Sequence, residues 1–115
     1  GHGVGFFLNV HEGPQSISRY NSVKIKEGMV LSNEPGFYKK GHFGIRIENL
    51  IYVKKIKNNL FFENLTLAPI EKDLINFELL NKNEKDYLFK YHLNLYAQYS
   101  KFLNLNERKW LASLI

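Results

Sequence analysis

The chain has 115 residues and is 44% hydrophobic, which is enough apolar material for a packed core, yet no apolar run approaches the roughly 20 residues that a membrane helix needs. It has no Cys, which excludes disulfide frameworks, thiolate zinc sites and cysteine nucleophiles and favours a cytoplasmic location. The net charge of +5 comes from 16 Lys and Arg against 11 Asp and Glu. Thirteen of the basic residues are Lys, which are scattered along the chain, and only three are Arg. Nucleic-acid-binding surfaces favour clustered Arg and Lys, so we expect neither nucleic-acid nor membrane binding.

The first part of the chain is predicted to form loops and short strands. Residues 1–20 are punctuated by Gly and indicate a loop that leads into extended segments. In residues 23–26, Val and Ile alternate with Lys, which is typical of a half-buried strand. Residues 29–33 predict a short apolar strand that ends at Glu34, and Pro35 disfavours helix at Glu34 and holds it extended.

The clearest strand prediction covers residues 44–53. Alternation along this segment places Arg46 and Glu48 on one face and the neighbouring Ile side chains on the other. After a turn at Asn58-Asn59, residues 60–69 are predicted to form another extended segment.

The rest of the chain is predicted to be helical. Asn83 is a candidate N-cap for a helix over about residues 84–99, and a last helix is expected to start near Asn106. His92 falls within the apolar stripe of the longer helix, so we expect a core or interface residue rather than a metal ligand. Strands followed by helices indicate an α+β fold, with a shift in composition near residue 61.

Five residues form a spaced set that could carry chemistry, each near a Gly, a Pro or a strand. The set consists of His2, His11, Glu34, Arg46 and Glu48. Taken one at a time, each has an ordinary explanation as a loop, turn or surface ion-pair residue. Taken together, one imidazole and two carboxylates at His2, Glu34 and Glu48 favour a harder divalent ion such as Mn²⁺ or Fe²⁺ over a closed structural zinc site.

Four ordered motifs contain this set: Gly-His-Gly-Val-Gly (1–5), Asn-Val-His-Glu-Gly-Pro (9–14), Glu-Pro-Gly-Phe-Tyr (34–38) and Gly-Ile-Arg-Ile-Glu-Asn (44–49). Together they resemble the Xaa-Pro aminopeptidases (aminopeptidase P), which belong to the pita-bread metallopeptidases. Residues 62–70 and Tyr91-His92-Leu93 look like the C-terminal extension of the long, three-domain members. The nine-residue step from His2 to His11 favours this family over the methionine aminopeptidases. Prolidase remains open from the metal residues alone, and the extension argues against it.

The resemblance implies a fold, a reaction and residue roles. Residues 1–60 would be the C-terminal half of the pita-bread catalytic domain, and residues 61–115 a small helical extension. His2 and Glu34 would bind one ion of a dinuclear Mn²⁺ centre that Glu48 bridges. His11 would donate a hydrogen bond to the substrate, and Arg46 would orient the site carboxylates. The substrates would be peptides with proline at the second position, from which one N-terminal residue is removed.

The family's metal centre also contains two aspartates, both upstream of the Gly-His motif. The aspartates of this sequence, Asp73 and Asp86, both lie in the C-terminal segment. We therefore expect a C-terminal fragment of the enzyme that binds Mn²⁺ weakly and is inactive by itself. The long form of the family also predicts a homodimer.

The alternative is a non-catalytic interaction or dimerisation module derived from this fold, or one part of a split enzyme. A module freed from catalysis would have no chemical need for all five site residues. Their presence favours descent from an active enzyme.

Overall fold

A computed structural model describes residues 1–6 and 9–115. The chain divides into two compact units, Gly1–Thr66 and Leu67–Ile115. The first unit contains the strands and the second contains the helices, in the order that the sequence predicts. Among the described residues, no helix is both long enough and apolar enough to span a bilayer.

The first unit is built from antiparallel strands. The main sheet has the order β1-β4-β5, formed by β1 (Val30–Asn33), β4 (Asn49–Ile56) and β5 (Asn59–Asn64). A separate two-stranded ladder joins β2 (Gly36–Lys39) to β3 (Phe43–Arg46). The turn between β4 and β5 lies at Lys57 and Asn58, one residue earlier than predicted, and Lys57 adopts a positive φ of 54° there.

The prediction of one continuous strand over residues 44–53 is wrong, because the segment is interrupted at Ile47 and Glu48. The reason lies across the ladder. The Ile47 N–H donates to the carbonyl of Pro35 (3.3 Å), but Pro35 has no N–H with which to complete the reciprocal bond. The register nevertheless continues past the break, since Asn33 pairs with Asn49 on one side of it and Gly36 pairs with Arg46 on the other. The two ladders are therefore one long hairpin with a local interruption.

The core of the first unit is small. Leu31, Ile51 and Val53 are buried, and Ile25 and Met29 pack against them. Residues 23–26 alternate in burial as their sequence predicts, but they form no strand, so the prediction of a strand here is wrong. The alternation of apolar and polar residues predicts which side chains face the core. A strand also needs a neighbouring strand whose backbone N–H and C=O groups are available for pairing, and the alternation does not predict that.

The second unit consists of two short 3₁₀ turns followed by α1 (Lys82–Tyr99) and α2 (Leu105–Ala112), with a third 3₁₀ turn between the helices. The helix caps differ from the predicted ones: Asn81 caps α1 and Asn104 caps α2, each in a capping box with the Glu three residues later. A box satisfies two backbone N–H groups at once, so the Asn that has such a Glu partner becomes the cap.

The buried residues of α1 are Tyr91, His92 and Leu95, so only part of the predicted apolar stripe faces the interior. His92 is a satisfied core residue, as predicted. Its Nδ1 lies 3.0 Å from the carbonyl of Leu88, and its Nε2 accepts a hydrogen bond from the Ile70 N–H at 3.2 Å. Nδ1 is therefore the ring nitrogen that donates, to the Leu88 carbonyl.

Candidate metal centre

The long hairpin brings two carboxylates together at its interruption. Glu34 directly follows β1 and Glu48 directly precedes β4. Continuing the β1–β4 register by one position from the Asn33–Asn49 pair places Glu34 opposite Glu48. The next pair, Pro35 and Ile47, contains the hydrogen bond, so the two glutamates form a non-hydrogen-bonded pair, the kind in which facing side chains lie closest.

His2 reaches the same place from the first residues of the chain. This segment runs antiparallel along the free edge of β1: Gly3 forms a bridge with Leu31, and the Ser32 N–H donates to the His2 carbonyl at 2.8 Å. Gly3 is required because a Cβ at this position would overlap the backbone carbonyl of Glu12, whose own N–H donates to the Gly3 carbonyl (3.0 Å). The Gly-His-Gly motif therefore lets two chain segments approach closely enough to hold His2 against β1.

The three side chains converge. One ligand atom from each of His2, Glu34 and Glu48 lies within 4.8 Å of the others. The Nε2 atom of His2 is 3.4 Å from Glu34 Oε1, and the side chains of these two residues are 23% and 20% exposed. The set that the sequence proposes as metal ligands is thus a cluster at one place on the surface of the first unit.

The hydrogen bonds of His2 orient its ring for coordination. Its Nδ1 lies 2.8 Å from the Gly3 carbonyl, which can only accept, so Nδ1 carries a proton. In the neutral ring the lone pair is then on Nε2, which faces the Glu34 carboxylate. A metal-binding histidine is commonly held in this way, with its other ring N–H donated to a backbone carbonyl.

Ser32 lies at the centre of this arrangement, although it is not among the five residues predicted from the sequence. It is completely buried, its hydroxyl donates to Glu34 Oε1 at 2.7 Å, and it accepts from the His2 N–H at 2.9 Å. The hydrogen bond from Ser32 lowers the pKa of the Glu34 carboxyl, and the positive charge of nearby Arg46 acts in the same direction. A sequence signal was available, because a residue two positions before Glu34 on an extended segment shares its face.

Arg46 lies beside both carboxylates, as its alternation with Glu48 predicts. Its guanidinium nitrogens are 3.9 Å from Glu34 Oε2 and 3.9 Å from Glu48 Oε2, within ion-pair range but beyond hydrogen-bond distance. It also donates to the hydroxyl of Tyr38 at 3.4 Å, a second neighbour that the sequence analysis missed. The side chains of the cluster, two carboxylates and one guanidinium, carry one net negative charge when His2 is neutral, which suits a cation.

His11 lies beside the site, in the same chain segment as Glu12. Its ring is exposed and lies 4.0 Å from the ring of His2, centroid to centroid, at a tilt of 37°. The His11 ring therefore packs against His2, a candidate metal-binding residue, and stays accessible to a molecule that approaches the cluster.

The donor set fits a divalent cation. Adjacent ligands of an octahedral ion with metal–oxygen distances of about 2.1 Å are about 3 Å apart. The His2–Glu34 separation of 3.4 Å is close to that value. One imidazole nitrogen with two carboxylate oxygens is a ligand set suited to Mn²⁺, Fe²⁺ or Zn²⁺.

Comparison with known proteins identifies the family of the chain. Residues 1–55 match the model of metallopeptidase family M24, and residues 58–114 match the model of the C-terminal region of the same family. The chain belongs to metallopeptidase family M24. The strand-rich unit that carries the site and the helical unit therefore both match regions of this one family.

The chain is similar to proteins named as probable Xaa-Pro aminopeptidases. The chain is 46% identical over 124 residues to a probable Xaa-Pro aminopeptidase P of Coprinopsis cinerea, covering 96% of this chain and 20% of that protein. A probable Xaa-Pro aminopeptidase P of Laccaria bicolor is also 46% identical over 124 residues, covering 96% of this chain and 19% of the relative. The chain thus spans about one fifth of the length of these relatives.

A solved structure is similar over almost the whole chain. It is the X-prolyl aminopeptidase of Caenorhabditis elegans, described as a cytosolic enzyme with a dinuclear active site. The TM-score is 0.85 at 38% identity, and the match covers 98% of this chain and 20% of that one. The similarity confirms the predicted α+β class and the predicted likeness to the pita-bread fold.

Proposed function

We propose that His2, Glu34 and Glu48 hold a divalent cation in the centre of an Xaa-Pro aminopeptidase, an enzyme that removes the N-terminal residue preceding proline. The observation that carries the proposal is the convergence of these three donors, from three separate segments, within 4.8 Å. Family membership and the Xaa-Pro aminopeptidase relatives support the reaction class. The dinuclear site of the Caenorhabditis elegans enzyme supports a centre of two ions, for which we propose Mn²⁺.

The side chains have separable tasks in this proposal. A divalent cation held by His2, Glu34 and Glu48 would supply polarisation of the scissile carbonyl and activation of a coordinated water. His2 and Glu34 would supply ligand atoms to one ion, and Glu48 would supply its carboxylate to both ions. Arg46 offsets the repulsion between the two carboxylates and limits the directions in which they can turn.

His11 is proposed to donate a hydrogen bond to the substrate carbonyl. Its exposed ring beside His2 supports this task, because a group that reaches the cluster comes within reach of the imidazole. A donor aimed at the carbonyl oxygen stabilises the negative charge that develops there during hydrolysis.

We propose further that residues 1–60 belong to the catalytic domain and residues 61–115 to its extension, and that the enzyme is cytoplasmic. The two family matches and the cytosolic relative support these assignments. The 115 residues by themselves are expected to bind Mn²⁺ weakly and to hydrolyse no peptide, because the three converging donors are fewer than two ions need.

A chimaera tests the proposal. This chain replaces the matching fifth of the Caenorhabditis elegans enzyme, and Xaa-Pro peptide hydrolysis and metal content are measured together. We expect turnover and two bound ions in the chimaera, with loss of both in the Glu34→Gln and Glu48→Gln variants. Glu63→Gln is the matched control, since Glu63 lies in β5 and pairs with Lys54 at 2.8 Å.

Two results would contradict the proposal. One is turnover by the 115 residues alone, which would show that they contain a complete centre. The other is a folded chimaera whose metal content does not depend on Glu34 or Glu48. A folded, metal-free and inactive chimaera would favour the alternative, an interaction module derived from this fold.

A further inference from the structure

Ser32 is the one completely buried polar side chain among the described residues of the first unit. Its exposed fraction is 0%, and it lies on β1 between the buried Leu31 and the exposed Asn33. A buried hydroxyl is stabilising only when its hydrogen bonds are made. The partners of Ser32 therefore show what the hydroxyl does.

Those partners are two of the proposed metal ligands. The backbone N–H of His2 donates to Ser32 Oγ at 2.9 Å, and the Ser32 hydroxyl lies 2.7 Å from Glu34 Oε1. A second acceptor, the His2 carbonyl, is 3.4 Å from the hydroxyl. The hydroxyl has one proton to give, and the shorter contact, to a charged oxygen, is the stronger bond.

This geometry fixes the Glu34 side chain. Glu34 follows the end of β1 at a non-hydrogen-bonded position of the hairpin, and its long side chain has several possible rotamers. The bond from Ser32 selects the rotamer in which Oε1 lies 3.4 Å from His2 Nε2. The same oxygen cannot turn away without leaving a buried hydroxyl with only its long contact.

We propose that Ser32 is a positioning residue that couples His2 to Glu34 and preorganises both for the cation. The proposal rests on the metal site of the proposed function and names a residue that acts through the ligands. Outer partners of metal ligands typically change metal affinity by about 10- to 100-fold when they are removed. We therefore expect Ser32→Ala to weaken Mn²⁺ binding by at least about tenfold.

The experiment uses the 115-residue chain and two readouts. Mn²⁺ affinity is measured by water-proton relaxation, which detects weak binding. Without metal, the three-bond couplings of Glu34 across χ1 are measured by NMR, which reports whether the side chain occupies one rotamer. The variants are Ser32→Ala, Ser32→Thr and Glu34→Gln. Ser18→Ala is the control, because the Ser18 hydroxyl is exposed and accepts from the Tyr20 N–H at 3.2 Å, away from the cluster.

We expect a single Glu34 rotamer in the unchanged chain and in the Ser32→Thr and Ser18→Ala variants, and averaged couplings with weakened Mn²⁺ binding in Ser32→Ala. If Ser32→Ala does not fold, Ser32→Cys replaces it, because it keeps the volume and donates only weakly. A single rotamer together with unchanged affinity after loss of the hydroxyl would overturn the positioning role.

The two proposals fail in different ways. If Glu34→Gln binds Mn²⁺ as tightly as the unchanged chain, the metal site itself is wrong. The rotamer couplings need no metal, so they decide whether Ser32 holds Glu34 in either case.

Discussion

Replacement of Gly3 by Ala tests whether the Gly-His-Gly motif exists to let two segments meet. The Cβ of Gly3→Ala would overlap the backbone carbonyl of Glu12 and would lie 2.9 Å from two side-chain atoms of Gln15. Backbone atoms cannot rotate out of the way, so the segment around Glu12 must move. That movement lengthens the bond from the Glu12 N–H to the Gly3 carbonyl, which is 3.0 Å in the unchanged chain.

The size of the effect follows from these two contributions. Inserting a methyl group into a packed place costs about 1–3 kcal/mol, and a lost backbone hydrogen bond adds about 1 kcal/mol. We therefore expect the free energy of local opening around His2 to fall by about 2–4 kcal/mol. At about 1.4 kcal/mol for each factor of ten, that is a roughly 30- to 700-fold faster exchange of the protected amides.

Amide hydrogen exchange measured by NMR locates the change. The amides of Glu12 and Ser32 report on the affected segment, since they donate to Gly3 and His2 respectively, and the amides of β4 report on the rest of the sheet. Gly13→Ala is the matched control, because a Cβ at Gly13 meets no atom within 4 Å. Exchange at Glu12 and Ser32 that is as slow in Gly3→Ala as in Gly13→Ala would refute the reasoning.

Two predictions concern the second unit. Burial raises the pKa of the Tyr91 phenol above its ordinary value of about 10, so the folded state keeps a proton that the unfolded state loses, and this contribution to stability should be present below about pH 10 and be lost as the pH rises above it. When urea midpoints are measured on both sides of that pH, the midpoint should fall less with rising pH in Tyr91→Phe than in the unchanged chain. An equal fall in the two proteins would contradict the prediction. Asn104→Ala should lower the free energy of unfolding by about 1 kcal/mol, because Asn104 accepts from two N–H groups at the start of α2. Trp110 fluorescence during urea unfolding measures the free energy of unfolding. The control is Asn106→Ala, which keeps the capping box and should change the free energy of unfolding by less than about 0.5 kcal/mol. Equal effects of the two variants would exclude the cap as the cause.

Much of the candidate site can be predicted from the sequence, because its chemistry needs particular residue types. The cluster of His2, Glu34 and Glu48 was expected from residue type and order alone, and its members converge within 4.8 Å. Pro35 shows the limit of such reasoning. Its effect on its own backbone was expected, whereas its effect on Ile47, its partner in the ladder, depends on a register that no local pattern specifies.

Other differences have the same origin. Residues 23–26 have the alternation of a strand without a partner strand, and Asn83 has the residue type of a cap without the Glu that makes Asn81 the better one. Local propensity identifies candidates for a cap or a strand. Pairing and competition between neighbours choose among them.

The sequence by itself determined the order of strands and helices and the identity of the residues in the cluster, because apolar periodicity and ligand chemistry are properties of residue types and their spacing. The family was indicated by the resemblance of four ordered motifs. Only the tertiary structure decided that Glu34 faces Glu48 and that Ser32 joins Glu34 to His2. Those facts depend on strand register and on the approach of segments 30 residues apart in the chain. Such long-range contacts are fixed by the packing of the whole unit, which no single segment encodes.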